Sequence, residues 1–156
     1  MVAVGIGMIV LGAFVVLVLY QQKGARLVLA GEITNVRTLG MDEKSSVALV
    51  DFKLTNRSQY PFVVGSTAMS LVDANGETQE GSMVSDGHTK DLFEAFPVLG
   101  KKIGGGLAIK EKIAPGEMRT VTLAARFEIP KGDADTRKLI KVTVTEIDGT
   151  VTELSQ

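Results

Sequence analysis

Hydrophobic residues follow two different patterns along this chain, and the pattern changes after Tyr20. From Met1 to Tyr20 the sequence has no charged side chain and no Asn, Gln, Ser, Thr or Pro. As an α-helix, residues 2–20 would span roughly 28 Å at about 1.5 Å per residue, close to the hydrocarbon core of about 30 Å. This run predicts one N-terminal transmembrane α-helix, with residues 1–22 as a transmembrane anchor and residues 23–26 as a linker.

Two other interpretations of the apolar run are a buried core helix and a cleaved signal peptide. A core helix normally has a polar face, and residues 2–20 have none. A signal peptide normally has a charged segment before a shorter apolar run. The best match to a cleavage site, residues 28–30, also lies well beyond the apolar residues. A retained anchor is therefore the favoured prediction.

Beyond the linker, hydrophobic and polar residues alternate with a period of two, which is typical of half-buried strands. The clearest alternation is at residues 48–55, 120–129 and 140–145. Residues 27–39 form a weaker strand, in which Gly31 is predicted to mark a bulge. With residues 62–72, these runs predict about seven or eight short strands. The predicted fold class is all-β, an immunoglobulin-like antiparallel β-sandwich over residues 27–156.

Turn residues separate the predicted strands. Asp148-Gly149 lies between two runs rich in Thr and Val, and it predicts a type I′ hairpin. The sequences at 114–117 and 130–133 predict turns because each combines Pro with Gly. Each turn is expected to connect neighbouring antiparallel strands.

One stretch, residues 89–99, breaks the period of two. Leu92, Phe93 and Phe96 fit one face of a helix. Thr89 is predicted to cap this helix, and Pro97 to end it. We expect one or two helical turns packed over an end of the sandwich.

Composition and charge exclude several classes of function. The 17 Lys and Arg residues nearly balance 18 Asp and Glu, so no nucleic-acid partner is expected. The absence of Cys excludes disulfides, thiolate zinc sites and cysteine nucleophiles. The single His leaves one imidazole for acid–base chemistry. These features predict no enzymatic activity and no cofactor.

His88 is the first candidate for chemistry, because Asp86, Asp91 and Glu94 lie near it in the sequence. A catalytic histidine needs an oriented nucleophile and acid, and a zinc site normally needs more than one His or Cys. A solvated loop histidine is the favoured interpretation. The sequence therefore predicts no catalytic residue and no metal ligand here.

Two further segments have a partial likeness to binding loops. Residues 73–77, Asp-Ala-Asn-Gly-Glu, resemble the start of a calcium loop, but the twelfth position is Val84 rather than Glu, so a hairpin turn is favoured. Asp133 and Asp135 are a weaker calcium alternative to a polar connection. Residues 100–106 mix Lys with Gly, yet they precede a strand-like run and not a helix, so a flexible loop is favoured over a phosphate-binding loop. No ligand-binding residue is assigned.

The strand and turn sequences resemble those of a known group of domains. The segments concerned are residues 50–58, 61–64, 70–76, 113–117 and 127–130. Their order resembles the telokin-like, immunoglobulin-like domain-of-unknown-function family of bacterial lipoproteins and membrane-anchored proteins. It is also similar to the late-embryogenesis-abundant type 2 domain.

This likeness covers about residues 48–130, and the chain departs from it by lacking a lipobox Cys and by an insertion at residues 86–106. The resemblance implies a non-catalytic accessory or binding domain, and it transfers no functional residue.

Together these patterns predict a single-pass membrane protein held by residues 2–20. Its non-catalytic sandwich is expected to act as a protein-binding or scaffolding accessory domain at the cell envelope. The alternative is a lipid- or small-ligand-binding sandwich with residues 92–99 as a lid. Ala3 and Gly7 form a small-xxx-small pair that permits a homodimer.

The side of the membrane on which the sandwich lies has two opposing indications. Lys23, Arg26 and Arg37 follow the anchor, and the positive-inside rule would place the sandwich in the cytoplasm. Short N-terminal anchors that carry a β-domain more often place it outside. The extracytoplasmic side is the favoured prediction.

Overall fold

The computed structural model describes residues 29–156. The predicted anchor at residues 1–22, the linker at 23–26 and the small residues Ala3 and Gly7 lie outside the described residues. Among residues 29–156, no helix is both long enough and apolar enough to cross a membrane.

Eight strands and two α-helices make up the described chain. The strands are β1 (Leu29–Gly40), β2 (Ser46–Asn56), β3 (Phe62–Val72), β4 (Thr78–Val84), β5 (Lys112–Ile113), β6 (Met118–Phe127), β7 (Leu139–Glu146) and β8 (Val151–Ser155). The helices are α1 (Asp86–Ala95) and α2 (Lys131–Asp135), and a 3₁₀ turn at Pro97–Leu99 follows α1. The strands predicted from the sequence therefore correspond to β1, β2, β3, β6 and β7.

The strands pair in the order β1-β2-β6-β4-β3-β7-β8, with β5 beside the start of β3, and every ladder is antiparallel. β4 connects the two layers, because Thr78–Gly81 pairs with β3 whereas Ser82–Val84 pairs with β6. On the other side β1 approaches β8, where the Leu29 N–H donates to Thr152 Oγ1 at 3.1 Å. The fold is an antiparallel sandwich that comes close to a closed barrel, which confirms the prediction at the level of the sandwich.

The sandwich has two apolar clusters. The main one fills the space between the layers, and its largest buried side chains include Phe52, Phe62 and Phe127. The second lies on the outer face of β2 and β6 and consists of Val47, Leu49, Phe93, Leu99 and Ala124. The first half of β2 is therefore buried on both of its faces. The prediction that the helix covers an end of the sandwich was wrong, because apolar residues on the outer face of β2 give α1 a place to pack.

We name the two ends of the sandwich after Leu29 and Gly40, the first and last residues of β1. At the Leu29 end lie the end of β2 and the starts of β6 and β8, since Leu29 pairs with Asn56 and Thr55 pairs with Met118. At the Gly40 end lie the turn after β3, helix α2 and the C-terminus. Residues 1–28 thus precede the described chain at the Leu29 end.

The bulge in β1 is not at Gly31. Gly31 pairs regularly with Leu54, and the register shifts between Ile33 and Asn35 instead. A Cβ atom at position 31 would lie 2.3 Å from the Lys53 carbonyl oxygen. The glycine is therefore required by close approach to β2 and not by a bulge.

Two turn predictions also differ from the structure. The β7–β8 hairpin is present, but among the described residues Lys110 alone among non-glycines has positive φ, so Asp148 does not adopt the type I′ conformation. Gly149, at φ 91°, donates its N–H to the Glu146 carbonyl at 2.9 Å, which is typical of a type I turn followed by a left-handed glycine. The predicted turn at 130–133 is instead the start of helix α2, with Pro130 as the residue that precedes its first turn.

Candidate functional site

His88 belongs to the N-terminal cap of α1. The cap residue is Ser85 and not Thr89, and Ser85 Oγ accepts the His88 N–H at 3.3 Å and lies 3.1 Å from His88 Nδ1. The buried Thr89 donates its hydroxyl to the Ser85 carbonyl at 2.9 Å. This local hydrogen bond satisfies the Thr89 hydroxyl and allows the side chain to be buried. His88 is exposed, and it lies in the first turn of α1, where its backbone N–H completes the cap.

The carboxylates near His88 in the sequence do not converge on it. Asp86 forms an ion pair with Lys102, and Glu94 lies 3.7 Å from Lys90 on the surface of α1. Asp91 is exposed on the same helix. Within residues 29–156 no group of three or more His, Asp or Glu side chains is arranged to hold a metal ion.

The acidic turns are stabilised by their own backbone. Asp73 Oδ1 accepts the N–H of Asn75 at 2.8 Å and the N–H of Glu77 at 3.0 Å. These hydrogen bonds hold the pKa of the Asp73 carboxyl below its usual range, the one from Glu77 contributing most. Residues 73–77 thus form a hairpin turn, in agreement with the favoured interpretation.

Asp133 and Asp135 both lie in α2, and of the two only the Asp135 carboxylate has side-chain hydrogen-bond partners within residues 29–156. Its carboxylate accepts hydrogen bonds from Lys131 and from the Thr38 hydroxyl on β1. These bonds hold the pKa of the Asp135 carboxyl below its usual range, the bond from Lys131 contributing most. The contacts fasten α2 to β1.

The glycine-rich loop 100–106 runs along β6. The Gly104 N–H donates to Thr122 Oγ1 at 2.9 Å, and the Gly105 carbonyl accepts the Thr122 N–H at 2.9 Å. A Cβ atom at Gly104 would lie 2.6 Å from the backbone of Thr120 and Val121. The glycine therefore permits contact between two backbones, which explains the composition without a bound phosphate.

An ion pair between Arg37 and Asp51 lies beneath this loop. Asp51 is fully buried on the outer face of β2, where it binds the Arg37 guanidinium and accepts the Thr122 hydroxyl at 2.6 Å. The Arg37 guanidinium also donates to the carbonyls of Leu99 at 2.6 Å and Lys101 at 3.1 Å. It lies 4.7 Å from the centre of the Phe93 ring, in cation–π contact.

The sequence pattern gives one indication of this ion pair. Asp51 is a charged residue within the apolar β2, and such a residue is either exposed or paired. From the sequence alone, Arg37 is only one of the positive charges that follow the predicted anchor. Identifying it as the partner requires the register of β1 against β2 and the position of the loop, which the sequence pattern does not show.

The insertion exposes three large apolar side chains, which we call the insertion surface: Phe96, Val98 and Ile103. Val98 is 85% exposed although its neighbour Leu99 is buried. The Phe96 ring is 37% exposed and Ile103 is 61% exposed. The segment thus directs Phe93 and Leu99 inward and these three side chains outward.

A cleft of about 500 Å³ lies between β4, β6 and the chain that returns from the insertion. Its walls include Met83, Leu107 and Leu123, with the carboxylates of Asp86 and Glu111 among its lining groups. None of residues 92–99 lines it. The segment predicted as a lid packs on β2 and β6 instead.

No protein-family model matches this chain. No curated protein matches it either. The resemblance to the telokin-like and late-embryogenesis-abundant families is therefore supported only as far as the β-sandwich fold.

Three solved structures have similar strand arrangements. An uncharacterised β-sandwich protein from Clostridium difficile 630 is 10% identical with a TM-score of 0.42, and the match covers 82% of this chain and 85% of that one. A conserved hypothetical protein from Bacillus anthracis is 14% identical with a TM-score of 0.40, covering 80% and 86%. The archaellum periplasmic stator protein FlaG from Sulfolobus acidocaldarius is 11% identical with a TM-score of 0.38, covering 83% and 100%. No role for this chain follows from similarities of this size.

Proposed function

We propose that this chain is a membrane-anchored, non-catalytic β-sandwich that binds another protein at the cell envelope through its insertion surface. The observation that carries the proposal is the exposure of Phe96, Val98 and Ile103 on one short segment. Single exposed apolar residues are ordinary in soluble domains. Three within eight positions on one fastened segment make this segment the candidate contact surface.

The insertion surface is held in place from below. Arg37 binds the carbonyls of Leu99 and Lys101, and Lys102 binds Asp86 at the start of α1. A surface that is already ordered loses little conformational entropy when a partner binds. The contacts therefore favour recognition by a preformed surface.

The other parts of the proposal rest on the sequence. Residues 2–20 have the length and composition of a membrane-spanning helix. The single His and the absence of Cys support a non-catalytic role. We place the sandwich on the extracytoplasmic side.

A second candidate function is the binding of a small ligand in the cleft beside β4. Its volume, about 500 Å³, is within the range of about 300–1,000 Å³ that is usual for ligand pockets. Apolar walls with a few polar groups suit an amphiphilic molecule. Native mass spectrometry of the full chain in mild detergent would test this, since a retained mass beyond protein and detergent is expected for a bound ligand.

Site-specific photo-crosslinking in native membranes tests the insertion surface. With p-benzoylphenylalanine in place of Val98 in the full chain, we expect one discrete adduct heavier than the protein. The same group in place of Asn75, exposed at the Gly40 end, is the matched control. Identical adducts from both positions would contradict the proposal, and an adduct of twice the protein mass would identify a second copy as the partner.

A further inference from the structure

The Leu29 end of the sandwich exposes a second set of apolar side chains. Each member is between 47% and 68% exposed, and they are Tyr60, Ile109, Met118, Ile147 and Val151. They lie in different turns and strand ends, far apart in the sequence. We call this set the Leu29-end surface.

Hydrogen bonds bring two of the turns that carry these residues together on β3. The Ile147 N–H donates to the Val63 carbonyl at 2.9 Å, and the Lys110 N–H donates to the Val64 carbonyl at 2.7 Å. Ile109 and Ile147 therefore flank the same short length of β3. Their exposure is set by turns that are fixed to the sheet.

The other three residues are tied to the same end. The Asn56 side chain donates to the Tyr60 carbonyl at 2.8 Å and to the Ile113 carbonyl at 2.9 Å, which holds the loop after β2 against β5. Met118 pairs with Thr55 near the end of β2. Val151 precedes Thr152, which accepts the Leu29 N–H.

The chain outside the structure joins the sandwich at this end. The predicted membrane helix ends at residue 20, and the described chain begins at Leu29. A fully extended chain advances about 3.3–3.6 Å per residue, so the nine intervening steps reach at most roughly 30 Å. If residues 2–20 span a bilayer, the Leu29 end is held near that bilayer.

Charge at this end suits lipid headgroups. Arg57, Lys110 and Lys112 are exposed, and none of them forms an ion pair within residues 29–156. Arg119 binds the nearby carboxylates of Glu111 and Glu117 and offsets one of their two negative charges. Asp148 remains as an acidic residue beside Ile147. These four cations and three carboxylates leave one net positive charge, and the three cations without an ion pair can reach lipid phosphates, beside a tyrosine of the kind found at membrane interfaces.

We propose that the Leu29-end surface lies in the headgroup layer of the same membrane that residues 2–20 cross. This inference rests on the proposed anchor. It adds a fixed orientation, in which Tyr60, Ile109, Met118, Ile147 and Val151 contact lipid. In this orientation the insertion lies along the side of the sandwich, because Phe93 and Leu99 pack on the outer face of β2 and β6. The sandwich then has one end in contact with the membrane and a protein-contact surface on its side.

Fluorescence quenching by lipid tests this orientation, because the chain has no Cys of its own. The full chain is reconstituted into vesicles of phosphatidylcholine and phosphatidylglycerol that carry a nitroxide near the headgroup. Single variants Ile109→Cys and Met118→Cys, each labelled with bimane, are compared with Asn75→Cys. All three positions are exposed, so the label should not disturb folding, and far-UV circular dichroism checks this. We expect at least threefold stronger quenching at positions 109 and 118 than at 75.

The outcomes separate the orientation from the anchor. Equal quenching at all three positions in protein that floats with the vesicles would overturn the orientation and leave the anchor in place. Protein that does not float with the vesicles would overturn both. As a second variant, Tyr60→Ser with Ile147→Ser should reduce quenching at position 118 without changing flotation.

Discussion

Among single residues, Arg37 contacts both the sheet and the insertion. Its guanidinium binds the buried carboxylate of Asp51, two carbonyls of the insertion and the ring of Phe93. A buried charge is stable only when it is paired and hydrogen-bonded. Asp51 meets this condition through Arg37 and Thr122, so the pair fastens the insertion to the sheet.

Replacing Arg37 should therefore destabilise the protein strongly. Arg37→Met leaves the Asp51 carboxylate buried without its cation, and we expect the free energy of unfolding to fall by about 3 kcal/mol or more. Urea denaturation followed by circular dichroism measures this. The control is Lys141→Met, which removes the exposed pair with Glu153 and should change stability by less than about 1 kcal/mol. Equal effects of the two variants would contradict the importance of the Asp51 pair.

Glu146, at the end of β7, should make the protein less stable as the pH rises toward neutral. Burial, with repulsion from Asp148, raises the pKa of its carboxyl, and within the described residues its Oε2 has no hydrogen-bond partner. The folded protein then binds this proton more tightly than the unfolded chain does, so the contribution of Glu146 to stability falls as pH rises above the ordinary carboxyl range. Glu146→Gln should be more stable than the parent at pH 7, with the difference shrinking toward pH 4. Urea denaturation across this range is the measurement.

Asp73 should give stability a pH dependence opposite to that from Glu146. Because backbone N–H groups lower the pKa of its carboxyl in the folded state, its stabilising effect is present at neutral pH and is lost as pH falls through its lowered folded-state pKa. Asp73→Asn should lose stability at pH 7 and approach the parent in strong acid. A difference between Asp73→Asn and the parent that does not change with pH would contradict this assignment.

At the scale of elements, the sequence predicted the longer strands with a regular apolar alternation and missed β4 and the start of α1. β3 agrees with the prediction at both ends, because turns bound a regular apolar alternation. β4 has few apolar residues, since it leaves one layer for the other and rests partly on glycine. The start of α1 was placed too late because Ser85 and the polar first turn give no periodic signal. Contacts across the sheet, and not local pattern, position these two elements.

Gly81, where β4 passes between the layers, should not tolerate a side chain. A Cβ atom there would lie 2.7 Å from Phe127 Cζ and 2.8 Å from Ala125 Cβ. Gly81→Ala should lower stability by about 1–3 kcal/mol through overpacking. Gly87→Ala is the control, because it lies in α1 with no atom within 4 Å of its Cβ position, and alanine favours a helix by up to about 1 kcal/mol. Thermal unfolding of both proteins should shift the midpoint down for the first and up for the second.

At the scale of the whole molecule, the described chain has one core between two layers and a smaller one outside them. Strand alternation predicted the first core, because the inward residues of β2, β6 and β7 repeat with a period of two. The outer cluster of Val47, Leu49 and Ala124 could not be predicted in this way. The strand pattern alone predicts that each of these residues lies on a solvent-facing side, and only the position of α1 shows that they are buried. The proposed contact surface depends on that second cluster.

Because the two clusters are separate, the insertion should open without unfolding the sandwich. Phe93→Ala removes the largest side chain of the outer cluster, and truncation of a buried Phe costs about 3–5 kcal/mol. Hydrogen exchange should then become faster at residues 86–99 while β3 and β7 stay protected. Uniformly faster exchange through all the strands would show instead that the two clusters unfold as one unit.

The position of β6 has a consequence for the synthesis of this protein. β6 lies between β2 and β4 in the sheet, yet Met118 follows Asn56 by roughly 60 residues, which is about 3–12 s of translation at about 5–20 residues per second. During that time β2, apolar on both faces over its first half, has β1 on one edge and nothing on the other. An unpaired apolar strand edge invites pairing with other chains. A cell making this protein rapidly should therefore depend on a chaperone that shields β2 until β6 arrives.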